Sequence, residues 1–483
     1  MTDSEDVILR QNAEEVKQTA ASLQEMKIYN AMQSGVRRGK QRAKRRRLFS
    51  GVGVTLAAAV VLLLFTFLKA PAEVTEYTVR SATPNKAWTD SKLFESAIIR
   101  NKSLASAMNQ NLIQPVFQGA EKAGLRVEIM GTVSDGRQVF ILYRVQNNTG
   151  ETVIHAKFSL DFGKFEAADI GASLEMTGSD NNEIRAGETK CFVYSNNLAP
   201  ETDYPSNVKY NVILTQISDK ALSSSSNKYR TSLDVPFELN TGLLKDQNRT
   251  WIAKQDLAVG GQKLKVKQVL FTPLNTYVDV EVDALNSKQI FGLINPVLIG
   301  KSGDKIIKSY YPSILSADNS ENYTDRSKFT LVYKGSSEYS QLDSLSLKTF
   351  GIAALDKNQM KIVVDLDKKK IIEAPDGLTL DDSVNTSGAG ELGFWHKVKT
   401  DYAPESFIMS LADSYTDAEG KTHTNSPGNG AFIQSLTRGP SLEETYYYNF
   451  GAQANVLPQP LTIAVKRYWN PVMDTQSVEL YSK

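Results

Sequence analysis

Twenty-one consecutive residues without a charge, Leu48 to Leu68, limit this chain more than any other feature in it. As a helix rising about 1.5 Å per residue the run reaches roughly 31 Å, close to one hydrocarbon thickness. No polar face interrupts it, which argues against a helix buried in a soluble core. Ala70-Pro71-Ala72 imitates a signal-cleavage site. Secretory apolar regions are shorter, however, about 7–15 residues, and follow a brief basic segment. Here 47 residues come first, so residues 48–68 are expected to be a membrane anchor. The flanks set its orientation. Arg37, Arg38, Lys40, Arg42, Lys44, Arg45, Arg46 and Arg47 crowd one side, whereas only Lys69 stands close on the other, before Glu73 and Glu76. Lys and Arg collect on the cytoplasmic side of a span, so a cytoplasmic N-terminus and extracellular C-terminal domains are expected. A cluster this basic also suits nucleic acid. Beside an apolar span, a topogenic role against anionic lipid is the better reading, and no nucleic-acid partner is expected.

The formal charge of +1 hides an asymmetry: residues 1–47 carry eleven basic and six acidic groups, a surplus of five, which leaves −4 for the rest. Nothing beyond the anchor therefore suggests a polyanion partner. Cys191 is the one cysteine of 483 residues, so no disulfide forms within the chain. For exported domains that pattern suits a Gram-positive surface better than a eukaryotic secreted protein. Three Asn-X-Thr triplets, at Asn147, Asn248 and Asn322, match glycosylation acceptors but arise by chance in a chain of this length.

Ahead of the basic cluster, Leu9, Ala13, Val16, Ala20 and Leu23 recur at alternating spacings of four and three, which places them on one helix face. A 47-residue tail is too short for a core of its own. Its apolar face needs a partner, a lipid surface or a second copy; the alternative is a disordered tail. It contains no His or Cys, which excludes a zinc module there.

Beyond the anchor, residues 69–114 read as an extended stalk followed by one helix over Ser91–Leu112, with Leu93, Phe94, Ala97, Ile98, Leu104, Ala105, Met108 and Leu112 as its apolar stripe. The period then changes to two. Val139, Ile141, Tyr143 and Val145 alternate, as do Val278, Val280 and Val282 between Asp279, Glu281 and Asp283. That is the pattern of half-buried strands. The block GLRVEIMGTVSDGRQVFILYRVQN from Gly124 returns as GQKLKVKQVLFTPLNTYVDVEVDALN from Gly261, and more loosely as GELGFWHKVKTDYAPESFIMSLADS from Gly390. A repeat at domain length predicts a mainly β chain of three tandem immunoglobulin-like β-sandwich domains, residues 115–239, 240–372 and 373–483. The Cys–Trp–Cys signature of true immunoglobulin domains is missing.

No catalytic constellation appears. Only His155, His396 and His423 are present, and no zinc-hydrolase, nucleophile-elbow, Walker or dinucleotide motif occurs. His396 falls in an alternating stretch and is expected to be an ordinary sheet residue. Cys191, flanked by Lys190 and Phe192-Val193-Tyr194, is expected to be a buried apolar cysteine rather than a nucleophile. The acidic turns Asp413/Asp417/Glu419 and Asp318/Glu321/Asp325 lack the calcium-loop ladder and are expected to be solvated. Tyr446-Tyr447-Tyr448 and Tyr310-Tyr311 suit either a glycan or protein contact or a sheet core. No catalytic residue, metal or cofactor is expected.

The layout, a short tail, one span, a helix and the GLRVEIMGTVSDGRQVFILYRVQN block, resembles a family of Gram-positive single-pass membrane proteins of unknown function that are regarded as anti-sigma-factor-like. The segment FELNTGLLKDQNRTWIAKQDLAVGGQKLKVKQVLF resembles the immunoglobulin-like domain that often follows in that family. The resemblance implies a negative effector of an extracytoplasmic-function sigma factor, with the tail holding the sigma factor and the outer domains reporting on the envelope. The tail departs from the family pattern, since clamping domains present several helices and here one or two fit. The competing expectation is a cell-surface binding or structural module that contacts wall polymer or another envelope protein, with a merely topogenic tail.

Overall fold

The period-two segments become strands almost throughout, and the strands form three pairs of sheets. The computed structural model describes residues 76–79, 91–163, 170–176, 182–199, 202–217, 229–253, 255–310, 312–316, 327–335, 342–381, 390–404, 407–425, 432–451 and 453–483. The uncharged run 48–68, expected to be an anchor, and residues 1–47 lie outside the described residues. Among the described residues no helix is long and apolar enough to cross a membrane.

In the first unit a six-stranded sheet runs in the order Glu76–Val79, Gln114–Lys122, Leu125–Ser134, Gln138–Asn147, Thr189–Asn197, Ile170–Met176. A four-stranded sheet, Arg230–Glu238, Asn207–Gln216, Val153–Asp161, Glu183–Ile184, faces it. Val127, Ile129, Ile141, Tyr143 and Phe192 of the larger sheet meet Tyr210, Val212, Leu233 and Val235 of the smaller in one core. The outer face of the larger sheet is not solvated. Two short helices, α1 (Glu95–Arg100) and α2 (Lys102–Asn109), cover it, and Phe94, Ala97, Leu104 and Ala107 pack on Met130, Val133, Phe140, Leu142 and Cys191. This third layer explains why Gln138–Tyr143 is buried on both faces, where alternation predicts one.

The single helix expected over 91–112 is in fact broken at Asn101. That residue is extended, and its Oδ1 accepts the N–H groups of Ser103 and Leu104, both at 3.2 Å. A side chain that satisfies free amides starts a helix rather than continuing one. The stalk departs from expectation too: Glu76–Val79 pairs with Gln118–Glu121 as an edge strand.

The middle unit joins a sheet ordered Arg249–Trp251, Gln262–Phe271, Asn275–Val282, Lys328–Lys334, Ser313–Ser316 to one ordered Lys288–Ile294, Ser344–Asp356, Val297–Ser302, Lys305–Ser309. Leu264 and Val266 point into its core while Lys263, Lys265 and Lys267 stay exposed. The third unit joins Lys370–Glu373, Lys361–Asp365, Leu461–Tyr468, Met409–Thr416, Thr422–Thr424 to Thr379–Leu380, Glu391–Lys399, Ser441–Asn449, Phe432–Arg438.

Strand pairing does not follow the linear boundaries read from the sequence. Lys361–Asp365 and Lys370–Glu373, expected in the middle unit, belong to the third unit's sheet. Pro471–Ser482, expected in the third unit, pairs with Ser344–Ala353 of the middle one and places Val478 and Leu480 in its core. The third unit is thus inserted between two neighbouring antiparallel strands of the middle unit. The repeat is also looser than its blocks suggest. The first two blocks form paired hairpins, whereas Glu391–Lys399 and Met409–Thr416 of the last block lie in different sheets.

Candidate functional site

The residues that sequence reasoning offered as a partner face, Leu9, Ala13, Val16, Ala20 and Leu23, and the basic cluster Arg37–Arg47 lie outside the described residues. Of the remaining sequence candidates, Cys191, His155 and His396 are packing groups. Cys191 is buried beneath the helices. His155 is buried with its Nε2 2.7 Å from the Tyr143 hydroxyl, and burial lowers its pKa to about 4. His396 is buried against Tyr468, whose hydroxyl lies 2.8 Å from Nδ1. His423 contacts Asp417 at 2.7 Å, while Asp413 faces Lys466; the carboxylates of that turn do not converge. Among the described residues no group of three His, Cys, Asp or Glu side chains could hold a metal ion. Tyr446, Tyr447 and Tyr448 are all buried, so they do not offer the exposed aromatic face that a wall-polymer contact through them requires. Tyr310 is half exposed; Tyr311, Asp318, Glu321 and Asp325 lie outside the described residues.

What sequence reasoning missed is a buried polar joint between the first and middle units. It starts at the turn Ser134-Asp135-Gly136, where Gly136 takes φ +87°, a conformation that disfavours a side chain. The turn carries Asp135 inward to 1% exposure. One carboxylate oxygen accepts the N–H groups of Arg137 (2.9 Å) and Gln138 (2.8 Å); the other accepts the hydroxyls of Thr272 (2.5 Å) and Tyr277 (2.9 Å). Burial raises the Asp135 pKa above its usual range, against the pull of those four donors.

Arg137 leaves the same turn and forms a two-pronged pair with Asp279, at 3.2 and 2.9 Å, while its guanidinium sits 4.9 Å from the centre of the Tyr277 ring. Asp279 also accepts from Gln268 (2.7 Å) and Thr330 (2.5 Å). Burial would raise its pKa, but Arg137 and these donors outweigh burial and hold it low. Two-pronged Arg–carboxylate pairs fix geometry as well as charge.

Helix α2 is wedged into the same joint. Ser103 donates to Asn275 Oδ1 (2.5 Å), Asn275 donates to Gln138 Oε1 (2.7 Å), and Ser106 donates to the Pro273 carbonyl (2.7 Å). Leu244 and Leu274 of the middle unit join the apolar cluster around Phe94 and Leu104. Three segments far apart in sequence therefore share one network: the helix, the 134–138 turn and the 272–279 loop. It can hold two units and helix α2 in one fixed geometry.

A second buried acid, Glu444, lies inside the third unit. It accepts the N–H groups of Ile408 (3.1 Å) and Met409 (2.9 Å), and burial raises its pKa to about 7.

No family model matches the chain, and no curated protein does. Two solved structures show some likeness. A conserved domain protein from Bacillus anthracis is 15% identical, with 54% of this chain and 84% of that one covered and a TM-score of 0.33. The secreted serine protease VesC from Vibrio cholerae is 8% identical, with 72% of this chain and 52% of that one covered and a TM-score of 0.16. At such scores neither bears on the fold or the chemistry.

Proposed function

We propose that the protein is a single-pass membrane regulator resembling an anti-sigma factor. Residues 48–68 cross the cell membrane with residues 1–47 inside, and Leu9, Ala13, Val16, Ala20 and Leu23 bind an extracytoplasmic-function sigma factor. The three β-units, immunoglobulin-like in architecture, stand outside and respond to the envelope. One observation supports this reading, and it concerns the segment expected to connect the anchor to the β-units. Its helix α2 is built into the joint between two β-units through Ser103, Ser106 and Leu104, so a disturbance at the joint is felt by the connector.

Cross-linking the full-length protein in its own membranes should recover a sigma factor, joined through residues 1–47. Deleting the gene should raise that factor's transcripts. Recovery of no sigma factor, together with unchanged transcripts, would rule the reading out.

A further inference from the structure

The path from the membrane to the joint includes one more element. Strand Glu76–Val79 begins eight residues after Leu68, so its first residue lies at most about 29 Å from the end of the apolar run. It forms the edge of the large sheet in the first unit, with Val79 opposite Gln118, Thr78 opposite Gly119, Tyr77 opposite Ala120 and Glu76 opposite Glu121. Immediately before this pairing, strand Gln114–Lys122 bulges. The register with its other neighbour slips between Pro115 and Gln118, and Phe117 adopts φ +51°. A bulky residue with positive φ is a true outlier, sustained only where its surroundings over-determine it. The next strand bulges at the same level, between Ile129 and Gly131.

The two bulges have one consequence. Val116 packs in the core between the sheets, while Phe117 and Met130 reach the helix layer that holds Phe94, Leu104 and Cys191. The strained residue thus lies between a short edge strand on the membrane side and the helices wedged into the joint. The four-residue strand is paired on one side only, and bulges re-aim side chains where a sheet must meet something else.

We propose that strand Glu76–Val79 is a latch. Its pairing with Gln118–Glu121 keeps the Phe117 bulge in place, and through it the helix layer and the joint; release of the strand loosens all three. This rests on the membrane-regulator reading, for which it supplies the route from anchor to joint.

Cys191, as the one cysteine in the chain, reports on the helix layer without any engineered label. In full-length protein held in membranes, Tyr77→Pro with Thr78→Pro removes both central N–H groups of the latch, whichever of them faces the neighbouring strand. Alkylation of Cys191 by a small maleimide should then speed up at least tenfold, and an unchanged rate overturns the latch. Native hydrogen exchange on the unaltered protein is the companion measurement, which is independent of how the variant folds. The amides of residues 118–121 and 104–107 should open together, and faster than those of 141–143; unrelated rates also overturn it. Resistance to carbonate extraction tests the anchor separately, so a chain that washes off the membrane sinks the regulator reading and leaves the alkylation result to judge the latch alone.

Discussion

The two joints between units are built on opposite principles. The first–middle joint is centred on polar groups: Asp135, Arg137, Asp279, Asn275, Thr272, Tyr277 and Ser103 bond to one another largely shielded from water. The middle–third joint is apolar and doubly connected. Phe291, Ile294, Ala353 and Leu355 of the middle unit enter the third unit's core beside Trp469. A Cβ on Gly292 would come within 3.0 Å of the Trp469 ring. Apolar packing degrades by degrees when a side chain is trimmed. A buried ionic network is less forgiving, because removing one member strands another without a partner. One joint sets a geometry and the other supplies adhesion.

The largest test of that contrast is Arg137→Met. It leaves the partly buried Asp279 without its cation and should cost about 2–4 kcal/mol in chemical unfolding, with Cys191 becoming accessible. A loss under about 1 kcal/mol would mean that the polar joint is only ornamental.

Opposite responses to pH should separate the units next. His155 is held near 4 by burial, so the stability it lends the first unit is complete above pH 6.5. It is lost as pH falls from there to about 4, a total of roughly 3 kcal/mol. Glu444 is raised to about 7 by burial. Its contribution is complete below about pH 4.5 and is lost as pH rises to about 7, again roughly 3 kcal/mol. Unit-resolved hydrogen exchange across pH 5–7 should show the first unit tightening as the third loosens. Slopes of the same sign would refute one of the two assignments.

Ser103→Ala removes the donor to Asn275 Oδ1 and should cost about 1–3 kcal/mol, again visible at Cys191. Ile294→Val at the apolar joint should cost least, about 0.5–1.5 kcal/mol in thermal unfolding, and should leave Cys191 protected. If it exposed Cys191 as Ser103→Ala does, the two joints would be one cooperative structure.

The sequence made the strands legible because period two survives wherever one sheet face is wet, as at Lys263, Lys265 and Lys267. It was least legible where a third layer buries both faces, as along Gln138–Tyr143. Asn101 carried a readable helix-start signal, yet the apolar stripe on either side of it suggested one continuous helix. The joint was hidden for a different reason. Asp135 and Gly136 announce a turn, which they make, but nothing local tells Arg137 that Asp279 awaits it 142 residues later. Such pairings depend on how units dock, and periodicity is silent on docking. The insertion of the third unit was concealed likewise, since Pro471–Ser482 follows Leu461–Tyr468 almost without a break and yet returns to an earlier sheet.

That insertion sets a timetable. The first unit's strands are complete once Arg230–Glu238 has left the ribosome. The middle unit must wait for Pro471–Ser482, while the residues between Asp356 and Pro471 are made. At about 5–20 residues per second the delay is roughly 6–23 s. Throughout it Ser344–Asp356 lacks a neighbour on one side, with the sites for Val478 and Leu480 unfilled. While the third unit is being synthesised, that unpaired edge is open to misassociation.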